Sequence, residues 1–328
     1  MDYPKVRNAH IVPKGYLKGF AANEKIDVHR KDRTGSTTRP IEKAGVRLRF
    51  YRRNRPDGTP IDDVEWSLSR SEDKVAPILR RLSESWPPET EAKANLAEFF
   101  AYLAVRGPRW MDWYSENTRK WVADLRRQPG SVPTRTIDNL EEYLLTDTAR
   151  LVKMLDIGPK LASCLGSMHW CLVEFSSPVV ASSDHPVVIW PLDEGARTPR
   201  AASAIGFIET IETRVPVSPT AVILMTWSDA ADTVNCRLPG ARHHASSINA
   251  FTIAQAERQW YNLPGATTPI ATGRLLPISL GLIPGYAYQS ARASARRARA
   301  SAIVQAEIGK PRSESFEMVI VRETDRTQ

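Results

Sequence analysis

A change of periodicity near residue 170 constrains the fold more than any other feature of this chain. Residues 62–170 carry apolar side chains at helical spacing, with interruptions at Gly107-Pro108 and at Pro129-Gly130. After about residue 175, β-branched runs broken by Pro, Gly or Asp follow one another, which is typical of short strands. Helices gathered in one section and strands in another favour an α+β fold over alternating strands and helices. We therefore predict a helical section, about residues 62–170, packed on a mostly antiparallel strand section, about residues 175–230.

Apolar spacing, proline and glycine together divide the chain into predicted elements. In the N-terminal part, residues 26–30 and 46–51 are predicted strands. The predicted helices of the next section cover residues 62–85, 91–106, 109–127, 137–155 and 158–170. The elements predicted after them are strands at 179–182, 187–190, 205–215 and 221–227, helices at 243–261 and 287–308, and a closing strand at 316–321.

The segment from His10 to Phe20, with the sequence HIVPKGYLKGF, is too short and irregular to form a helix or strand of its own. It nevertheless contains three large apolar side chains, those of Tyr16, Leu17 and Phe20. We predict that these side chains fold the N-terminal segment into the core. His10 would then be held at a fixed place.

The length of 328 residues exceeds the usual size of a single core. We predict one large domain, with 1–60, 61–172 and 173–328 as a finer division into sub-domains. The composition, 42% hydrophobic and 25% charged, is typical of a globular protein. The chain has no run of about 18 apolar residues and no apolar leader. We therefore expect no membrane partner and a cytoplasmic location.

The net charge of +8 favours an anionic partner, either a nucleic acid or another phosphate-bearing ligand. Arg292, Arg296 and Arg299 lie on one face of the predicted helix 287–308 and could contact phosphates of a substrate. A basic face of this kind is also what a merely solvated helix surface presents. Both interpretations stay open.

Glu65 and Glu72 lie on one face of the first long predicted helix, about 20° apart at 100° per residue. Both border its apolar stripe, where carboxylates are costly unless a cation, a metal ion or hydrogen-bond donors meet them. One interpretation pairs them with arginines of the next helix, and Arg106 is the natural partner. In the other, the glutamates are catalytic, Glu72 binds a metal ion and Arg106 binds an anionic substrate.

Ser183, Asp184 and His185 resemble a hydrolase triad in composition but cannot form one among themselves. Neighbouring residues of an extended chain point to opposite faces. We predict Asp184 at the end of a strand, where it either points into a cleft as a catalytic group and metal ligand or accepts backbone N–H groups. Ser183 would contact the substrate in the first case.

His10 and Asn249 complete the set of candidate catalytic residues. No metal-ligand spacing surrounds His10, so it is a base or a ligand only if the acidic residues converge on it. Otherwise it is a hydrogen-bonded structural residue. Asn249 should face inward from the predicted helix 243–261, either as a clamp on the backbone or as a substrate contact.

The three cysteines fit a reducing environment and form no CxxC pair. Cys164 and Cys171 are seven residues apart in an apolar stretch that we predict to be helical, so both should face one side. We expect all three cysteines, including Cys236, to pack in the core.

Several motifs, taken in order, resemble the domain-of-unknown-function family 4238. They are His10-x-Val12-Pro13-x-x-Tyr16-Leu17-x-x-Phe20, Arg106-x-Pro108, Ser183-Asp184-x-Pro186-Val187, Pro216-x-Ser218-Pro219 and Ala256-x-Arg258. The resemblance covers most of the chain. It implies a shared site built from His10, a helical glutamate, Asp184 and Asn249, but it implies no reaction, because the family has no agreed activity.

If these side chains converge, we predict a metal-dependent phosphodiester hydrolase of the nuclease type that binds Mg²⁺ or Mn²⁺. A role in defence or as a toxin would suit such an activity. One alternative is a non-enzymatic module that binds nucleic acid or protein and uses the same polar residues as clamps. The other is an enzyme acting on a small anionic substrate. Because the chain has no Walker loop, GxGxxG motif or zinc-finger spacing, we do not expect a common nucleotide-cofactor enzyme.

Overall fold

The computed structural model describes residues 8–55, 57–127, 133–191, 210–227, 236–272, 275, 277–283, 294–295, 297–298 and 302. Its helices are α1 (Lys14–Leu17), α2 (Asp63–Arg80), α3 (Thr90–Val105), α4 (Pro108–Arg127), α5 (Thr134–Leu144), α6 (Asp147–Ser167), α7 (Arg242–Gln255) and α8 (Ser279–Leu282). Its first strands are β1 (Asn8–His10), β2 (Lys25–Arg30), β3 (Ser36–Pro40), β4 (Val46–Leu48), β5 (Arg53–Asn54) and β6 (Pro60–Ile61). The later strands are β7 (His169–Glu174), β8 (Ser182–Ser183), β9 (Val188–Pro191), β10 (Thr210–Ser218), β11 (Ala221–Thr226), β12 (Arg237–Pro239) and β13 (Gln259–Asn262).

The predicted α+β architecture is confirmed. Helices α2 to α6 occupy the helical section, and the strands that follow form a five-stranded sheet in the order β12-β7-β11-β10-β9. This sheet is antiparallel except for the pair β12 and β7, which is parallel. A second, four-stranded sheet in the order β3-β2-β13-β8 joins N-terminal strands to strands that follow the helical section. In the described part of the chain, no helix has the length and apolarity needed to cross a membrane.

The N-terminal segment is folded into the core, as predicted. Tyr16, Leu17 and Phe20 are each at most 2% exposed, and they belong to one apolar cluster that also includes side chains of α3, α6 and the larger sheet. The Tyr16 hydroxyl donates to the carbonyl oxygen of Pro216 at 2.5 Å and lies 2.8 Å from Ser182 Oγ. These bonds connect the start of the chain to both sheets.

The helical section differs from the prediction at Gly158-Pro159, where we expected a helix boundary. Instead, α6 runs through both residues, and the break lies before it, where the Thr146 hydroxyl caps the helix by accepting the N–H of Ala149. Gly158 allows α6 to pack closely against α3, since an added Cβ would lie 2.3 Å from the ring of Tyr102 in α3. A glycine in this sequence context therefore marks a contact between two helices and not a helix end.

The helix predicted at 243–261 is also wrong in its second half. Helix α7 ends at Gln255, and residues 259–262 form β13 between β2 and β8. Tyr261 is fully buried, and Trp260 stacks on His29 with 3.5 Å between ring centroids. The helical spacing of apolar residues continues by chance as far as Trp260, although Trp260 itself belongs to β13. The predicted elements 287–308 and 316–321 lie almost wholly outside the described residues.

Candidate functional site

Several of the predicted site residues meet around the buried guanidinium group of Arg106. Glu65 and Glu72 come from α2, His10 ends β1, and Arg106 directly follows α3. Together with Tyr51, which contacts the same guanidinium group, we call these side chains the His10 cluster. The short spacing of the two glutamates on α2 places both beside Arg106, as their positions on one helical face predict.

Arg106 is 2% exposed, and all three nitrogens of its guanidinium group donate to other residues. Nη1 donates to Glu72 Oε1 at 2.7 Å, Nη2 to the carbonyl oxygen of His10 at 2.7 Å, and Nε to Tyr51 Oη at 3.0 Å. The pairing with Glu72 is one of the two uses that the sequence predicts for Arg106. These contacts indicate a positioning role, in which Arg106 fixes the N-terminal segment against α2.

Tyr51 is a member of the cluster that sequence reasoning did not single out. Its hydroxyl donates to the Arg106 carbonyl oxygen at 2.9 Å and accepts from the Arg106 guanidinium group. Burial raises the pKa of Tyr51 to about 12, so the phenol is neutral at any physiological pH. Tyr51 lies in the turn between β4 and β5, and its place as the last residue of the predicted strand 46–51 is the pattern that could have identified it.

Glu65 is the acidic residue of the cluster whose protonation is most affected by its surroundings. Burial raises its pKa to about 7, and the negative charge of Glu72 adds to this effect, although Arg106 and a backbone hydrogen bond from His10 oppose it. One oxygen, Oε2, is buried and has no hydrogen-bond partner. A carboxyl group that is partly protonated at neutral pH can both donate and accept a proton.

The imidazole of His10 lies at the same place and is also incompletely bonded. Its Nε2 atom is buried without a hydrogen-bond partner. Burial lowers the pKa of His10 below 6.5, Arg106 and Lys14 lower it further, and Glu72 acts in the opposite direction. The ring is therefore neutral at pH 7 and can accept a proton.

We expect Glu65→Gln to raise the free energy of unfolding by about 2 kcal/mol at pH 8 and to leave it unchanged at pH 4. Glu65 has a pKa of about 7 in the folded protein, against an ordinary value of 4.5. As the pH rises through this interval, the unfolded chain loses the proton first, so ionisation favours unfolding. Each pKa unit corresponds to about 1.4 kcal/mol, and partial exposure of the group reduces the total.

Urea denaturation at both pH values measures this difference. Glu116→Gln is a suitable control, because Glu116 is 52% exposed and forms a surface ion pair with Lys120 of its own helix. The control should change stability by less than about 1 kcal/mol. Equal effects of Glu65→Gln at pH 4 and pH 8 would contradict the raised pKa.

Asp184 holds the backbone that follows α7. Its Oδ1 accepts the N–H of Glu257 at 2.7 Å, and its Oδ2 accepts those of Arg258 and Gln259 at 2.7 and 2.9 Å. Burial raises the pKa of Asp184, and these three hydrogen bonds oppose that increase. Of the two interpretations that the sequence allows, the geometry matches the acceptor of backbone N–H groups.

Asn249 has a similar use in α7. Its Oδ1 accepts the N–H of Ala181 at 2.9 Å, and its Nδ2 donates to the carbonyl oxygens of Val179 and Pro269 at 2.7 and 2.9 Å. The side chain is fully buried. Asn249 therefore joins α7 to the segment before β8, and this geometry matches the predicted backbone clamp.

Ser183, the predicted substrate contact, lies in β8 opposite Trp260 of β13. It is fully buried, and its Oγ accepts the N–H of His185 at 3.2 Å. The structure thus gives Ser183 a local structural contact. The three arginines predicted to bind phosphate, Arg292, Arg296 and Arg299, lie outside the described residues.

The predicted metal ligands, Glu72 and Asp184, have other partners. Glu72 pairs with Arg106, and both oxygens of Asp184 accept backbone N–H groups. Among the residues that the structure describes, no group of three or more His, Cys, Asp or Glu side chains is arranged to hold a metal ion. In Glu65, the other glutamate of the cluster, Oε2 is buried and has no hydrogen-bond partner.

A buried ion pair that the sequence analysis did not single out lies in the larger sheet. Glu212 and Arg214 of β10 are paired and are each at most 1% exposed. The oxygens of Glu212 also accept the N–H groups of Ile278 and Ser279 at 3.1 and 2.8 Å, and Arg214 lies 5.2 Å from the ring centroid of Trp190. Two opposite charges at alternate positions of a strand share a face, and this pattern could have identified the pair.

The comparisons with known proteins give a family but no activity. A family model described as "Protein of unknown function (DUF4238)" matches residues 8–264, a range that includes the whole His10 cluster, Asp184 and Asn249. No curated protein and no solved structure matches the chain. Because the model covers well over half of the sequence, the chain belongs to the family of proteins of unknown function DUF4238.

Proposed function

We propose that this protein is a phosphodiester hydrolase that acts on nucleic acid and that His10 and Glu65 perform its proton transfers. The observation that carries the proposal is a pair of adjoining titratable residues, each with a buried polar atom that has no partner. Burial lowers the pKa of His10 and raises that of Glu65 to about 7. Groups whose pKa values are moved by their surroundings in this way are typical of acid–base catalysis.

The protonation states of His10 and Glu65 fit different roles, those of general base and general acid. His10 is neutral at pH 7, so its Nε2 would accept the proton of an attacking water molecule. Glu65 is partly protonated at the same pH and would donate a proton to the leaving oxygen. Arg106 and Tyr51 would hold both residues in place without touching the substrate.

Phosphodiester substrates are supported by the charge of the chain. Lys and Arg together number 45 against 37 for Asp and Glu, and Lys14 acts electrostatically on His10. An excess of cations attracts a polyanion and raises its local concentration. Glu72 and Asp184 are engaged by protein groups, so neither is proposed as a ligand of Mg²⁺ or Mn²⁺.

We expect Glu65→Gln and His10→Asn each to lower kcat/KM by a factor of about 10² to 10⁴, because each removes one proton-transfer group. The assay uses bis(p-nitrophenyl) phosphate and labelled single-stranded DNA and RNA, with EDTA, Mg²⁺ or Mn²⁺. The pH profile of the unmodified protein should have a limb near pH 7 that disappears in Glu65→Gln.

Glu257→Gln is the control, because Glu257 is a half-buried carboxylate that pairs with Arg47 and is not a member of the His10 cluster. This variant should keep the activity. Full activity in both Glu65→Gln and His10→Asn would contradict the proposal. Hydrolysis of the small diester without cleavage of DNA or RNA would instead favour an enzyme for a small anionic substrate.

A second candidate is a non-enzymatic module that binds nucleic acid or protein. The observation that favours it is the use of Arg106, Asp184 and Asn249 to hold backbone groups in place. Binding of labelled DNA or RNA that weakens steeply with salt, without cleavage under any metal condition, would support this function. Glu65→Gln should then leave the affinity unchanged.

A further inference from the structure

Two of the three cysteines lie side by side in the larger sheet. Cys171 belongs to β7, and Cys236 directly precedes β12, which pairs with β7 in parallel. Their Sγ atoms are 3.0 Å apart, and the N–H of Leu172 donates to the carbonyl oxygen of Cys236 at 2.9 Å. The prediction that Cys164 and Cys171 share a helix face is wrong, because α6 ends at Ser167.

We propose that Cys171 and Cys236 form a reversible disulfide within the chain and that a low-molecular-weight disulfide such as oxidised glutathione is the oxidant. Neighbouring strands are about 4.7–4.9 Å apart, which lies within the Cα separation of about 4.4–6.8 Å found across disulfides. The register places residue 236 opposite residue 171, because Arg237 pairs with Leu172. The backbone therefore needs no rearrangement for the bond to form.

The difference in exposure between the two thiols sets the order of the reaction. Cys236 is partly exposed, whereas Cys171 is 1% exposed and burial raises its pKa. The thiolate of Cys236 attacks one sulfur of oxidised glutathione, and the first glutathione leaves as a thiol. Cys171 then loses its proton and displaces the second glutathione from Cys236. In balance, two protein thiols become one disulfide and one oxidised glutathione becomes two reduced molecules.

The disulfide would link β12, a short strand at the edge of the larger sheet, covalently to β7. Strand β12 has three residues and contacts a single neighbouring strand, β7. An open groove of about 510 Å³ is lined by residues 174–176, at the end of β7, and by residues 237–240, which are β12 and the residue after it. The Trp86 indole also donates to the carbonyl oxygen of Cys236 at 3.1 Å. The disulfide would therefore also fix the position of the backbone that Trp86 contacts. Oxidation therefore makes the wall of the groove rigid.

The test treats the folded full chain with oxidised glutathione, alkylates the remaining thiols, and then determines the intact mass and the cross-linked peptides. We expect loss of two alkylatable thiols, a peptide linking Cys171 to Cys236, and reversal by dithiothreitol. Closing the loop between Cys171 and Cys236 should also raise Tm by about 5 °C. Cys236→Ser should abolish both the link and the rise in Tm.

Cys164→Ala is the matched control, because Cys164 is 2% exposed in α6 and burial raises its pKa to about 12. This variant should form the same link as the unmodified chain. Cys171→Val, which keeps a small apolar side chain in the sheet, should fold and form no link. A chain whose three thiols stay reduced, a lasting glutathione adduct on Cys236, or a link that involves Cys164 or a second chain would each overturn the proposal.

Discussion

Replacing Asp184 by alanine is expected to lower the free energy of unfolding by about 4 kcal/mol. The carboxylate is 6% exposed and accepts three consecutive backbone N–H groups, those of residues 257–259. Each N–H group left without an acceptor costs about 1–3 kcal/mol. Because Glu257 and Arg258 directly precede β13 and Gln259 is its first residue, the pairing of β13 with β2 and β8 should weaken at the same time. Urea denaturation followed by circular dichroism measures the loss.

Asp57→Ala provides the comparison for this variant. Asp57 is exposed and accepts one backbone N–H, that of Thr59 at 2.9 Å, in a turn. Its replacement should cost about 1 kcal/mol or less. Asp184→Asn, which keeps one acceptor oxygen, should lie between the two. A loss of stability in Asp184→Ala no larger than that in Asp57→Ala would show that the three hydrogen bonds do not hold this backbone.

Replacing Arg106 by methionine is expected to lower the free energy of unfolding by about 3–5 kcal/mol, the usual cost of removing one partner of a buried ion pair. The change leaves Glu72 without its cation and the carbonyl oxygen of His10 without its donor. It should also raise the pKa of Glu65 further, because the positive charge of Arg106 opposes that increase. Denaturation curves and the pH dependence of stability measure these two effects.

Arg126→Met is the matched control, since Arg126 is 42% exposed and pairs with Asp138 and Glu141 on the surface. Exposed pairs contribute little, so the control should cost less than about 1 kcal/mol. A double-mutant cycle with Glu72→Gln should give a coupling energy of about 2 kcal/mol. Equal losses in Arg106→Met and Arg126→Met would contradict the positioning role of Arg106.

The sequence predicts the class of fold because periodicity is a property of neighbouring residues. The separation of helices from strands and the burial of Tyr16 and Phe20 are both confirmed. The errors fall where a distant contact decides the local structure. Gly158 lies inside a helix because Tyr102 packs against it, and residues 257–259 leave the helix because Asp184 binds their N–H groups.

In the candidate site, the sequence correctly predicts those neighbours that lie on the same face of one helix. Glu65 and Glu72 are found beside Arg106 for this reason. Asp184 and Asn249 lie more than 100 residues further along the chain, and residue type alone does not separate a catalytic carboxylate from one that accepts backbone N–H groups. The deciding facts are hydrogen-bond distances, which a sequence does not contain.

The position of β2 in the smaller sheet also affects how the chain is made. Lys25–Arg30 is synthesised early, but one of its two neighbouring strands, Gln259–Asn262, leaves the ribosome only after the entire helical section. At about 5–20 residues per second, this interval is roughly 10–50 s. During that time the apolar side chains of Tyr16, Leu17 and Phe20 have no finished core to enter, because part of the cluster that buries them belongs to strands made later.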